Sequence, residues 1–171
     1  MKRKTAGILL LGFILCVLNA QEQPFEREAV LTESAVKAFI DRHESLISDI
    51  KTAREGNWLS IKGGRTSPRE ALDAITETEP PKKIRMLFKQ YGLDSETGHL
   101  QIAVMQYGIV ALEIEEALSE VAAMKRTKRE QAADKKVAAY LNELKSQINS
   151  ADLELIRTYR KQLRPIFNTG D

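Results

Sequence analysis

The segment from Asp94 to Met124 limits what this chain can fold into more than any other. At about 100° per residue, Leu100, Ala103, Val104, Tyr107, Ala111, Ile114, Leu118, Val121 and Ala122 fall on one helical face. A second apolar row, Ile102, Met105, Ile109 and Leu112, accompanies the first half. Glu116 and Glu120 then replace it on the same side. The first half of such a helix has to be covered on both sides and the second half on one, because its apolar surface must leave water. This predicts a central helix inside an all-α domain, a compact bundle of five to six helices.

The flanking residues supply the other helices. Thr32 is placed to cap a helix from about Glu33 to Arg54, with Val36, Phe39, Ile40, Leu46, Ile47 and Ile50 as its stripe and His43 in the middle of it. Ser67-Pro68-Arg69-Glu70 combines a capping box with proline at the first helical position. A short helix should follow to about Thr78, stopped by Pro80 and Pro81. The next, through Ile84, Leu87 and Phe88 to Tyr91, ends where Gly92 suits a left-handed C′ residue and Leu93 can fold back. Asp94 or Ser95 then caps the central helix. Beyond it, Thr127-Lys128-Arg129-Glu130 is a second capping box, and the later stripe (Val137, Tyr140, Leu141, Leu144, Ile148) is rotated by roughly a third of a turn from the earlier one. Both features predict a break near Lys125–Thr127. The last helix, capped by Asn149 or Ser150, runs to Phe167 with Leu155, Ile156, Tyr159, Leu163 and Ile166 on its apolar face.

The N-terminus reads as a secretory signal over residues 1–20: Lys2, Arg3 and Lys4, an apolar run from Ala6 to Leu18, and cleavage after Ala20. That run is shorter than the roughly 20 residues of a membrane-spanning helix. The three basic residues belong to the 26 of the whole chain, so the rest carries 23 basic against 24 acidic residues, a net of −1. Such a balance argues against a nucleic-acid binder. Cys16, the one cysteine, lies inside the signal, and Leu15 before it does not suit lipidation. The expected organisation is a signal peptide (1–20), an extended leader (21–31) and one helical domain (32–171), exported to the periplasm or secreted.

Phe39-Ile40-x-x-His43 on one helix, Tyr91-Gly92-Leu93-Asp94 before an apolar helix, and a final amphipathic helix together give an order that resembles small exported all-helical bacterial proteins of unknown function. The resemblance implies a fold class and an exported location. It carries no activity or site residue.

Little catalytic chemistry can be assembled from the residues. His43 and His99 lie on different helices, without a His at i+4 or an H-E-x-x-H, and the single E-x-x-H, Glu96-Thr97-Gly98-His99, has no second copy of the kind a carboxylate-bridged di-metal site needs. Without a mature cysteine, most nucleophilic mechanisms lack parts. Gly63-Gly64-Arg65-Thr66-Ser67 precedes a helix but lacks the Gly-Lys-Ser/Thr ending of a phosphate-binding loop. No cofactor, metal site or catalytic residue is therefore expected, and a non-enzymatic role is. Two readings are open. In the first, the protein acts by surface contact with an envelope protein or an anionic membrane, through Trp58 in the loop Glu55–Thr66 and the basic face Arg157, Arg160, Lys161 and Arg164. In the second, a small molecule or lipid enters a pocket beside the central helix, lined by Met105, Gln106, Tyr107, Ile109 and Glu113, of which Gln106 and Glu113 form a polar strip one heptad apart. A cavity next to that helix distinguishes them. Oligomeric state is not legible.

Overall fold

Six helices lie among the residues described by the computed structural model, which are 27–55, 58, 67–122 and 124–167. They are α1 (Glu33–Ala53), α2 (Pro68–Glu77), α3 (Lys82–Gln90), α4 (Gly98–Ala122), α5 (Lys128–Ser146) and α6 (Ser150–Phe167). No strand occurs among these residues, so the all-α expectation holds. The expected signal peptide and the leader up to residue 26 lie outside them, as does the loop Gly63–Thr66.

The helix ends obey their local chemistry. Thr32 accepts a hydrogen bond from the Ala35 N–H and starts α1, which closes on Arg54 in the left-handed region (φ 52°). Ser67 and Glu70 form the complete capping box of α2, with Pro68 in the first turn. Thr127 and Glu130 do the same for α5, so the chain turns before Lys128 instead of continuing as one long helix. After α3, Gly92 takes φ 83° and Leu93 donates back to the Phe88 carbonyl at 2.9 Å, which buries Leu93. Of the two candidate caps for α4, Asp94 organises the turn that precedes the helix: its Oδ1 accepts the N–H groups of Glu96 (2.9 Å) and Thr97 (2.7 Å), both outside α4. Asn149 caps α6 by accepting from the Ala151 N–H at 2.9 Å.

Helix α4 is the hub, packing on α6, α5 and α2, while α1 packs on α3 and α6. Met105, Ile109, Ala111 and Leu112 of α4 are buried with Leu72, Ile75, Leu144, Ile156 and Leu163 from its neighbours. Helix α6 approaches closely at Gly108, where a Cβ would stand 2.3 Å from Ile156 Cδ1. The expected asymmetry of α4 is present. Every buried residue of the helix lies between Gly98 and Leu112; from Glu113 to Ala122 its residues are half-buried or exposed. Ile114 and Leu118 pack against the edge of the core, and α5, which also packs on α4, buries nothing completely from Lys128 to Tyr140. Among the described residues, no helix is long and apolar enough to cross a membrane.

Candidate functional site

At the end of the bundle where α4 and α6 begin, residues 27–31 run as a non-helical strap across the helices. An isolated extended segment has no neighbouring strand to satisfy its N–H and C=O groups, so side chains must do it. The Val30 and Leu31 N–H groups donate to the two oxygens of Asp152 at 3.0 and 2.9 Å. The Val30 carbonyl accepts from Gln101 Nε2 at 2.8 Å, and the Arg27 carbonyl from Asn149 Nδ2 at 2.8 Å. Gln101 Oε1 in turn accepts the Asp94 N–H at 3.0 Å, which ties the strap to the turn that opens α4. The Arg27 guanidinium reaches α2, pairing with Asp73 and donating to Thr76 Oγ1.

Between strap and helices lies a partly open pocket of about 410 Å³. Its apolar lining is Val30 with Leu100 and Val104 of α4. Its polar lining comes from Arg27 and Glu28 of the strap, Thr76 of α2, and Gln147, Asn149 and Asp152 around the α5–α6 turn. Asp152 and Gln147 are 3% and 4% exposed. Burial raises the Asp152 carboxyl above the usual range, against the opposing pull of the two strap N–H groups. Gln147 donates from Nε2 to Ser146 Oγ at 3.1 Å, but its Oε1 has no hydrogen-bond partner among the described residues. The amide cannot gain by flipping: Ser146 Oγ donates its own proton to the Glu143 carbonyl (2.7 Å) and is left an acceptor. A buried carbonyl oxygen without a donor is costly, and here it belongs to the lining of a pocket.

None of the five residues expected to line a pocket lines this one. Met105 and Ile109 are fully buried in the core, Tyr107 is half-buried and Gln106 is exposed. Glu113 faces α6, where it pairs with Arg164 at 3.0 Å. The polar strip expected from the sequence is therefore on the wrong side of α4. The strap, invisible to helical periodicity, makes the side carrying Gln101 the buried polar one. The readable signal is Gln101 itself, a polar member of the otherwise apolar row through Met105 and Leu112.

The basic face of α6 is not turned wholly to solvent either. Arg157 pairs with Glu115 (3.6 Å) and with Glu154, Arg160 with Glu116, and Arg164 with Glu113, so three of the four cations answer the acidic side of α4. Lys161 is exposed. Lys145 of α5 adds a further pair to Glu115 at 3.0 Å, and that contact holds the Glu115 carboxyl below its ordinary value. Trp58 is half-buried, edge-on to His99 and Phe88 at 5.7 and 6.3 Å between ring centroids.

Both histidines have structural surroundings. His43 is half-buried against Phe39, with Nδ1 3.0 Å from the Ile40 carbonyl. His99 is buried, stacked on Phe88, and bonded through Nε2 to the Ile75 carbonyl at 2.9 Å. Burial lowers its pKa and so favours the neutral ring, which donates that bond. Among the described residues no three metal-ligating side chains cluster. No protein-family model, no curated protein and no solved structure matches the chain.

Proposed function

We propose that this is an exported, non-enzymatic helical protein that holds a small molecule in the pocket between the strap and α4. The single observation that carries the reading is the convergence of buried polar groups, Asp152 and the unpartnered Gln147 Oε1, on an apolar lining of about 410 Å³. Ligand sites combine an apolar concavity of this size class with a few placed polar groups. The competing role, contact through the basic face of α6, loses support because Arg157, Arg160 and Arg164 already have acidic partners on α4. Export rests on the sequence of residues 1–20.

Native mass spectrometry of the protein purified from the cell envelope tests both parts. The expected outcome is a chain beginning near Gln21 that carries a small-molecule adduct. Thr76→Trp, a plug at the exposed rim of α2, should lose the adduct while keeping its helical circular dichroism. A bare chain whose Leu100 and Val104 methyl resonances also stay unmoved by envelope extract would sink the pocket reading. A bound protein in place of the adduct would return attention to contact surfaces, beginning with the exposed Met124, Val137 and Tyr140.

A further inference from the structure

At the opposite end of the bundle, the first turns of α5 carry cations that no acid answers. Lys125, Lys128, Arg129, Lys135 and Lys136 are exposed, and none has an acidic partner among the described residues. At about 100° per residue, Lys128, Arg129, Lys135 and Lys136 fall within about a third of a turn, on the side of α5 turned away from the buried Leu141 and Leu144. Ala132 and Ala139 lie between them. The acids of these turns fall on the Leu141 side and are engaged: Glu130 closes the capping box with Thr127, and Asp134 accepts from Arg126 at 2.9 Å. Glu120 before the patch and Glu143 after it are exposed, and no ion pair joins either to these cations. From Glu120 to Lys136 six basic residues stand against three acidic ones, in a chain whose net charge after residue 20 is −1.

We propose that this face and the adjoining α4–α5 turn dock the protein on an anionic phospholipid surface. The residue types select lipid over an acidic protein. All but one of the five cations are lysines, point charges suited to a field of mobile phosphates, where a fixed carboxylate is better held by the bidentate fork of arginine. With alanine at 132 and 139, the face lacks the aromatic and large apolar anchors of a protein interface. Met124, 59% exposed, stands in the turn beside Lys125, so an apolar side chain meets the acyl boundary while the lysines stay at headgroup level. A soluble polyanion offers nothing to that methionine. The patch lies where α4 finishes and the pocket where α4 begins, so docking keeps the pocket away from the lipid and does not depend on what the pocket holds.

Sedimentation of the full mature chain with vesicles tests this, phosphatidylcholine alone against phosphatidylcholine with about a third phosphatidylglycerol. Each unpaired cation at an anionic surface raises partitioning by about fivefold, so the anionic vesicles should be preferred by about a hundredfold or more. Added salt should remove the preference, because the charges are exposed. Lys135→Gln combined with Lys136→Gln should cost about twentyfold and leave the thermal midpoint unchanged. Lys161→Gln, equally exposed but on α6, should change binding by about twofold or less. In anionic nanodiscs with spin-labelled lipid, the Met124 methyl resonance should broaden, while those of Met86, exposed on α3, and the buried Met105 stay sharp. Equal partitioning into the two vesicles overturns the proposal. Equal losses from Lys161→Gln and from the double variant overturn it too, since net charge alone would then govern binding. Polyglutamate that binds as tightly as the anionic vesicles, with Met124 unbroadened by lipid, replaces the membrane with an acidic protein as partner.

Discussion

The two ends of helix α4 are built on different principles. From Gly98 to Leu112 the helix is enclosed, and the polar groups that come inside with it, His99, Gln101 and Asp152, are hydrogen-bonded to backbone. From Glu113 to Ala122 its residues are half-buried or exposed, with ion pairs to α6 on its flank and the Thr127–Glu130 capping box opening the helix that follows. Surface ion pairs are each worth about 1 kcal/mol or less, whereas a buried aliphatic side chain contributes about 2 kcal/mol or more. The enclosed end should therefore carry most of the stability and the α4–α5 hairpin little of it. The pocket, with its unpartnered acceptor, sits at the stable end, where a rigid frame can hold a ligand group in place.

Truncation at each end tests this most severely. Ile156 is fully buried against Gly108, so Ile156→Ala should cost about 3 kcal/mol in urea unfolding, with little change in the slope of the transition. Val137, 41% exposed on the hairpin, should cost about 0.5 kcal/mol or less when replaced by alanine. Comparable losses from the two variants would break the distinction between the ends.

A rigid pocket also needs a strap that stays in place, and Asp152→Ala probes it. Removing the carboxylate leaves the Val30 and Leu31 N–H groups without acceptors, a loss of about 2 kcal/mol, reduced to the extent that water enters the pocket. Amide exchange should accelerate at Val30 and Leu31 and stay unchanged in the first turn of α5. Acceleration spread evenly over both ends would mean that Asp152 supports the whole bundle and not the strap.

Legibility in the sequence depends on the range of the interaction. Caps and breaks act within four residues, and Ser67–Glu70, Thr127–Glu130, Gly92 and Asn149 can all be placed. The two coverage regimes of α4 are readable as well, since burial on a helix has the helical period. The site is not. Asp152 reaches 122 residues back to Val30, and Gln101 reaches 71 back to the same residue, so no local window contains both partners. In isolation Asp152 reads as an ordinary first-turn acid. The cations of α6 mislead for the same reason: their acidic partners on α4 are 42 to 51 residues away in sequence, and each helix alone has a solvated charged face.

Acidification gives the finest test, because the two ends should respond with opposite sign. The native Asp152 carboxyl is raised above its unfolded value by burial, so the native state holds the proton more tightly. Its stabilising contribution is complete below the unfolded value of about 3.9 and is lost as pH rises through the raised native value. Glu130 and Glu115 are lowered, the first by the Thr127 N–H of its capping box and the second by Lys145. Their contributions are present above about 4.3 and are lost as pH falls through the lowered native values. Asp94 is also lowered, by the Thr97 N–H, although it opens the enclosed end. The comparison is therefore made at Val30 and Leu31, whose N–H groups go to Asp152. Between about pH 5 and pH 3, exchange corrected for intrinsic rates should lose protection through α5 while Val30 and Leu31 keep theirs or gain. Parallel loss at both places would show that one carboxylate population governs the whole domain, and the pocket would then share the hairpin's sensitivity to acid.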